Sequence, residues 1–334
     1  MGTKEQTQQN FPSLDVKFKP AQLRSDKNPD WCPGCGDFGI VNAIQQAVAE
    51  LQLQPWKVEF FAGIGCSGKS AQYLQAYGIH TLHGRVLPYA IGAKIVNPNN
   101  VVIATGGDGD GYGIGAGHFL HAGRRNVDIT YIVFNNEVYG LTKGQASPTL
   151  EVGMQPKSLA LPHISQAINP LAMAIASGYT FVARSYSFDA KHLKQTIMDA
   201  INHRGVSLVD VHQPCPTYND LHPKEYYTEK VNEGQTELPR LQYLEETGYN
   251  GEVEDSSDLE ALQAKKIAAI AEAYKLTDRV VLGTYWKVNL PTYSDRLATN
   301  IPILNEYAPM DIPFHDDEMR PTTDLTTACE EFVV

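Results

Sequence analysis

Residues 101–145 read VVIATGGDGDGYGIGAGHFLHAGRRNVDITYIVFNNEVYGLTKGQ, and no other stretch constrains the fold as much. Two apolar, β-branched runs, 101–103 and 129–134, stop abruptly at small or polar residues. Buried parallel strands look like this when their C-terminal ends face a ligand crevice. The first run ends in Gly106-Gly107-Asp108-Gly109-Asp110 and the second in Asn135-Asn136-Glu137-Val138, with a Gly-rich helical segment over 111–122 between them. The unit is strand, turn, helix, strand.

A diphosphate bridged to a hard divalent cation fits that pattern. Glycines let backbone approach phosphate oxygens, and the N-terminus of the next helix offers free N–H groups to an anion. Asp108 supplies a carboxylate oxygen and Asn136, 28 residues later, an amide oxygen. Both suit Mg²⁺, which takes a few protein oxygens and shares the rest with phosphate and water. A lone GDG is only a tight turn; two oxygen donors at the ends of adjacent strands make the metal–phosphate reading the better one.

With 334 residues, 43% of them hydrophobic, the chain can bury a full core in one or two domains. A net charge of −11 argues against a nucleic-acid partner. No apolar run approaches the ~18 residues that span a bilayer. The opening MGTKEQTQQN has no apolar stretch for a signal peptide, and Gln6 breaks the myristoylation pattern, so the expected location is cytoplasmic. Five cysteines, an odd number, point in that setting to metal or redox chemistry before disulfides.

In chain order, residues 1–30 read as a polar N-terminal arm. Trp31-Cys32-Pro33-Gly34-Cys35 then opens a helix over 37–51, whose stripe Ile40, Ile44, Ala47, Val48, Leu51 is core. A thioredoxin-like dithiol needs a strand feeding the motif, and PAQLRSDKNPD cannot be one. A strand at 57–62 leads into Gly63-Ile64-Gly65-Cys66-Ser67-Gly68-Lys69-Ser70, which literally matches the NTPase phosphate loop, with Asp210 as a possible Mg²⁺ carboxylate. Cys66 inside the loop, and the better-equipped phosphate unit downstream, weigh against it.

The cysteines suggest another role for that loop. Cys32 and Cys35 flank a turn, Cys66 follows one strand, and Cys215 follows the strand at 207–212. Turns after parallel strands share one edge of the sheet, so Cys66 and Cys215 can converge near Asp108 and Asn136. Four thiolates hold either a structural Zn²⁺ or an iron–sulfur cluster. One CxxC pair with two distant single cysteines suits a [4Fe–4S] cluster better than zinc, though a non-catalytic zinc-stabilised protein stays open; Cys329 is left over. His83 and Lys143 are each as readily ordinary loop residues as anion contacts.

Strands near 57, 101, 129, 180 and 206 alternate with helices, which is an α/β, doubly wound and mostly parallel sheet. The domain of 31–218 gives way to a C-terminal extension over 219–334. It begins with a charged loop (219–256), continues with a helix at 258–274 capped by Ser257 with Glu260 and a strand at 279–286, and ends in an acidic tail. That tail reads as disorder or an arm on a partner.

With these pieces in place, the chain resembles the β subunit of 2-oxoacid:ferredoxin oxidoreductases. The resemblance rests on WCPGCGDFGI, GIGCSGK, HTLHGR, GGDGDGYGIG, NNEVYGLTKGQ with SPT one residue on, and QPCPTYN, in the family's order over roughly 30–220. It implies the thiamin-diphosphate-binding fold and a [4Fe–4S] cluster on Cys32, Cys35, Cys66 and Cys215. It further implies Mg²⁺ on Asp108, Asn136 and the Val138 carbonyl. Gly109, Asp110, Gly140 and Leu141 would line the diphosphate, Ile64, Gly65, Cys66 and Ser67 the thiamin rings, and His83 the diphosphate or substrate as the catalytic candidate.

The implied reaction converts a 2-oxoacid, coenzyme A and oxidised ferredoxin into acyl-CoA, CO₂ and reduced ferredoxin. Pyruvate-type members read VYSNTGGQ where this chain has VYGLTKGQ, so the likeness is to the 2-oxoglutarate type, with pyruvate or a branched-chain 2-oxoacid as the alternative. The Glu that activates thiamin in the family has no candidate here. An α subunit is expected to supply it, in an αβ or (αβ)₂ assembly.

Overall fold

The computed structural model describes residues 17–322. Residues 1–16 of the expected N-terminal arm, and Cys329 with the end of the acidic tail, lie outside that range. Residues 17–24 lie on the domain itself. Phe18 and Leu23 are buried, and Gln52 Oε1 accepts from the Phe18 N–H at 2.9 Å.

Helix α1 (Asp37–Glu50) runs from the CxxC turn and buries the expected stripe, Ile40, Ile44, Ala47 and Val48, on one face of the sheet. Strand β1 (Val58–Ala62) follows, then β2 (Tyr77–His80), α2 (Val86–Val96) and β3 (Val101–Gly107). The Gly-rich segment starts as a wide π-helical turn over Gly109–Ile114 before α3 (Ala116–Arg125). Then come β4 (Ile129–Asn135), the short hairpin β5 (Val138–Tyr139) and β6 (Gln145–Ala146), and α4 (Pro170–Ser177). Strand β7 (Phe181–Tyr186), α5 (Ala190–Asn202) and β8 (Val206–His212) close the α/β unit.

The sheet runs β2-β1-β3-β4-β8-β7 with every neighbour parallel. One apolar core packs α1 and α5 against one face through Ile44, Ile197, Ile132 and Val209. A second packs α2, α3 and α4 against the other through Leu87, Phe119, Ile175 and Val133. Helices on both faces explain why β4 is buried at every residue and reads as an unbroken apolar run. This is the doubly wound α/β fold.

The segment 219–256 is more ordered than a charged loop. It contains α6 (Lys224–Thr228), the hairpin β9 (Lys230–Glu233) and β10 (Thr236–Pro239), then β11 (Leu241–Tyr243) and β12 (Glu252–Val253). Helix α7 (Leu259–Ala273) is capped by Asp258, whose carboxylate accepts from the Ala261 N–H at 3.0 Å; Ser257 instead donates to Asp255. The expected strand near 279–286 is β13 (Val280–Val288). It continues the central sheet antiparallel to β7, burying Tyr285 and Trp286, and carries β11 and β12 at its outer side. Helix α8 (Tyr293–Asn300) and two short 3₁₀ turns complete the described chain.

Candidate functional site

Parallel strands deliver their following turns to one edge, and four of those turns carry the candidate residues. Cys66 follows β1, Asp108 follows β3, Asn136 follows β4 and Cys215 follows β8. The crevice between them is lined by 64–67, His83, 107–110, Phe134, Asn136, 138–142 and Gln213. A larger cavity of about 680 Å³ lies behind Glu137, lined by Arg184, His222 and Arg240, and holds none of the predicted site residues.

Asp108 is 2% exposed. Its Oδ2 accepts from Ser147 Oγ at 2.5 Å, Thr149 Oγ1 at 2.8 Å and the Glu137 N–H at 2.9 Å. Burial pushes its carboxyl up to about 6, against these hydrogen bonds, which favour the ionised form. A cation at this site would favour the ionised carboxylate in the same way. Asn136 Oδ1 accepts from the Val138 N–H at 3.1 Å, and Glu137 between them is in the left-handed region at φ 66°. That turn brings Asp108, Asn136 and Val138 together.

Asp110 sits one turn deeper. Its Oδ1 accepts from the Gly84 N–H at 2.8 Å and the Ile64 N–H at 3.2 Å, with His83 Nε2 at 3.5 Å. Its Oδ2 is buried without a hydrogen-bond partner, and burial raises the carboxyl. Gly63 must lack a side chain, because a Cβ there would lie 2.0 Å from that oxygen. At Gly109 a Cβ would strike the Tyr139 ring at 2.3 Å, and Tyr139 Oη donates to the Gly109 carbonyl. Asp110 therefore splints the Ile64 loop and the His83–Gly84 turn onto the glycine segment. His83 beside it lines the same crevice, with about a third of its side chain open.

The thiols gather on the other side of the same loops. The Gly36 N–H donates to the Pro214 carbonyl at 3.2 Å, joining the CxxC turn to the Cys215 turn. Trp31 Nε1 donates to the Cys66 carbonyl at 2.8 Å, joining it to the Cys66 loop. The tip of the β5–β6 hairpin reaches both single cysteines: a Cβ on Gly140 would lie 3.5 Å from Cys66 Sγ and 3.8 Å from Cys215 Sγ. Burial pushes the Cys66 thiol up to about 12 and raises Cys35 and Cys215 as well, with Asp37 adding to all three and neighbouring thiols to Cys66 and Cys35.

Ser67 Oγ, Ser187 Oγ and Gln213 Nε2, buried around these thiols, have no hydrogen-bond partner, and the Asp37 carboxyl is enclosed with them beside Cys35. Such atoms are rare because each costs its desolvation. Buried thiols and unsatisfied polar atoms are thus enclosed together on this side of the loops. Among the described residues no three His, Cys, Asp or Glu side chains are arranged to hold one metal ion.

The NTPase reading fails on its own residues. Lys69 Nζ is engaged by Asp30 Oδ1 at 2.9 Å, on a short 3₁₀ helix, and Ser70 is buried against Thr105 Oγ1. Asp210 is locked between Tyr112 Oη, Asn135 Nδ2 and Arg184 Nε in the core.

Comparison with known proteins agrees with this geometry. The thiamine pyrophosphate enzyme C-terminal TPP binding domain matches residues 63–211, from the Cys66 loop to β8. The chain is 49% identical over 308 residues to the 2-oxoacid:ferredoxin oxidoreductase subunit beta of Saccharolobus solfataricus, covering 90% of this chain and 96% of that one. The chain belongs to the 2-oxoacid:ferredoxin oxidoreductase β-subunit family. It is thus a subunit of an oxidoreductase that works with an α subunit. This β subunit is also 34% identical to the 2-oxoglutarate oxidoreductase subunit KorB of Mycobacterium tuberculosis over 89% of its length and 86% of that protein. Its fold matches 2-oxoglutarate:ferredoxin oxidoreductase from Magnetococcus marinus, solved with 2-oxoglutarate, coenzyme A and succinyl-CoA bound, at a TM-score of 0.77 and 30% identity over 95% of this chain and 97% of that one.

Five residues that matter to the β-subunit site are not apparent from sequence. Ser147 and Thr149 hold Asp108, and Asp37 is enclosed beside the thiols. Asn219 Nδ2 donates to the Asn136 carbonyl at 3.0 Å, and Gln213 spans crevice and thiols. All five lie inside the motifs that carry the resemblance, but only their burial and hydrogen bonds distinguish them from neighbours.

Proposed function

We propose that this β subunit, with its α subunit, catalyses CoA-dependent oxidative decarboxylation of 2-oxoglutarate to succinyl-CoA and CO₂, passing electrons through a [4Fe–4S] cluster to ferredoxin. The observation that carries the reading is the position of Gly140, where an added Cβ would meet Cys66 and Cys215 Sγ at 3.5 and 3.8 Å while its neighbour Tyr139 packs on Gly109 of the crevice. Cys66 thus belongs both to the crevice and to the side where the hairpin tip reaches Cys215.

The donor sets fit their groups. Asp108, Asn136 and the Val138 carbonyl would hold Mg²⁺ as oxygen ligands. Gly109, Asp110, Gly140 and Leu141 would line the diphosphate, and Ile64, Gly65, Cys66 and Ser67 the thiamin rings. Cys32, Cys35, Cys66 and Cys215 would hold the cluster. A single Zn²⁺ demands four sulfurs at about 2.3 Å from one point, whereas a cluster takes each thiolate on a separate iron. One CxxC pair with two distant single cysteines suits the cluster better. When bound, thiamin diphosphate supplies the electron sink for decarboxylation and the cluster a one-electron acceptor.

The chain's own residues do the rest. The Asp108 clamp and the Glu137 turn fix the metal donors, and Asp110 fixes the loop that carries Cys66. His83 Nε2, beside Asp110 and open to the crevice, is placed to hold a proton against the diphosphate or the substrate. Among the described cysteines Cys32 is the exposed one. The crevice holds only about 80 Å³, against the roughly 300–1,000 Å³ of a site that buries a cofactor. The missing wall, with the thiamin-activating Glu, belongs to the α subunit in an αβ or (αβ)₂ assembly. The setting is cytoplasmic, and among the described residues no helix is long and apolar enough to cross a membrane.

Substrate choice turns on VYGLTKGQ, where Leu141 is half exposed at the crevice mouth. Anaerobic turnover of the αβ complex on 2-oxoglutarate, pyruvate and a branched-chain 2-oxoacid, with ferredoxin as acceptor, tests it. The highest kcat/KM is expected on 2-oxoglutarate; a preference for either of the others would move the assignment to that substrate.

A further inference from the structure

Gln213 stands between the two halves of the site. It is 2% exposed, lines the crevice, and its backbone N–H donates to the Asn135 carbonyl at 2.9 Å, next to the proposed metal turn. Its side chain points the other way, with Oε1 accepting from Cys35 Sγ at 3.9 Å. Gly36 makes room for it, since a Cβ there would lie 2.5 Å from Gln213 Cβ and 2.8 Å from Oε1. Its Nε2 is buried with no partner at all.

An enclosed amide with an idle donor, one bond rotation from a cysteine sulfur, is incomplete as it stands. A Cys35 thiol carries the proton that Oε1 now accepts. A Cys35 thiolate bound to iron has none and can only accept. Rotating the amide by half a turn exchanges Oε1 for Nε2 without moving the backbone. The donor would then face the sulfur that needs one.

We infer that Gln213 is a positioning residue for electron transfer: with the cluster in place, its Nε2 donates a hydrogen bond to the Cys35 thiolate and raises the cluster's reduction potential. The inference rests on the cluster proposed above. Reduction adds negative charge to the ligand sulfurs, so a donor stabilises the reduced form more than the oxidised one. The same residue is anchored through its backbone to β4, which ties that donor to the turn carrying Asn136.

The test is a redox titration of the anaerobically purified αβ complex by EPR, with iron and acid-labile sulfide measured on each sample. Gln213→Leu and Gln213→Met both remove the donor, and Met keeps the length of the side chain. At wild-type cluster content, both variants are expected to show a midpoint more negative by about tenfold in the reduction equilibrium, about 59 mV for one electron. Unchanged midpoints in both would overturn the role of Gln213 while leaving the cluster intact. Wild-type complex without iron and sulfide would overturn the cluster instead. Should both variants lose the cluster, pulsed EPR of the reduced wild type decides. A nitrogen coupling that changes when glutamine side chains carry ¹⁵N supports the hydrogen bond, and no such change overturns it.

Discussion

Asp108 Oδ2 gathers three donors, Ser147 Oγ, Thr149 Oγ1 and the Glu137 N–H, from a segment that passes behind it. At the proposed Mg²⁺ site that clamp would preset the carboxylate, as supporting hydrogen bonds do at metal sites, where losing one typically costs about 10–100-fold in affinity. Thr149→Val is therefore expected to weaken Mg²⁺-dependent thiamin diphosphate binding by about 10–100-fold, and Asp108→Asn by more, both read by calorimetry on the αβ complex. Gly63→Ala places a methyl group where Asp110 Oδ2 sits, so it should release the Ile64 loop and remove bound cofactor while the circular dichroism of the fold is kept. Lys69→Ala makes the opposite prediction. Its ammonium is taken by Asp30 at the surface, so cofactor content and turnover should stay at wild-type values.

At the scale of elements, β3 and β4 with their glycine and asparagine ends are legible in sequence because buried parallel strands are β-branched throughout and stop where the ligand begins. The CxxC turn and the cysteines after β1 and β8 are legible for the same topological reason. The helix cap is less so. Ser257 and Asp258 are both capping types, and only the bond to the Ala261 N–H chooses between them. Asp37 and Gln213 look like ordinary polar residues until the fold encloses them. The turn at Cys215 shows what such enclosure adds: Asn219 N donates to the Cys215 carbonyl at 2.9 Å while its side chain props the Asn136 carbonyl, so one turn would serve both proposed cofactors. Asn219→Ala should loosen both at once, lowering thiamin diphosphate affinity by about tenfold and iron content in the same preparations.

Across the whole molecule, β13 is what sequence reading places least well. Its apolar character marks a strand, but nothing local says that it crosses back to lie antiparallel on β7 and seal the sheet with Tyr285 and Trp286. A chain cut before residue 279 should lose cooperative unfolding, not merely a tail. Stability should also depend on His203, buried at the end of α5 with Nε2 on Thr180 Oγ1 and pushed down to about 4 by burial. The unfolded chain takes its proton near the ordinary value of about 6.5, so between those two values only the unfolded state is protonated. Stability is then full above about 6.5 and declines as pH falls toward 4. His203→Leu should flatten that decline in thermal unfolding scans, because Thr180 Oγ1 keeps Asn126 and the Val206 carbonyl as partners.

If Cys32, Cys35, Cys66 and Cys215 jointly hold an iron–sulfur cluster next to the thiamin site, it is read most directly in the iron and acid-labile sulfide content of the anaerobically purified αβ complex, compared with Cys66→Ser and Cys215→Ser in the β subunit. Four irons and four sulfides per cluster site are expected in the wild type, lost from that site in either variant. Zinc in place of iron, or unchanged iron and sulfide in both variants, would contradict it.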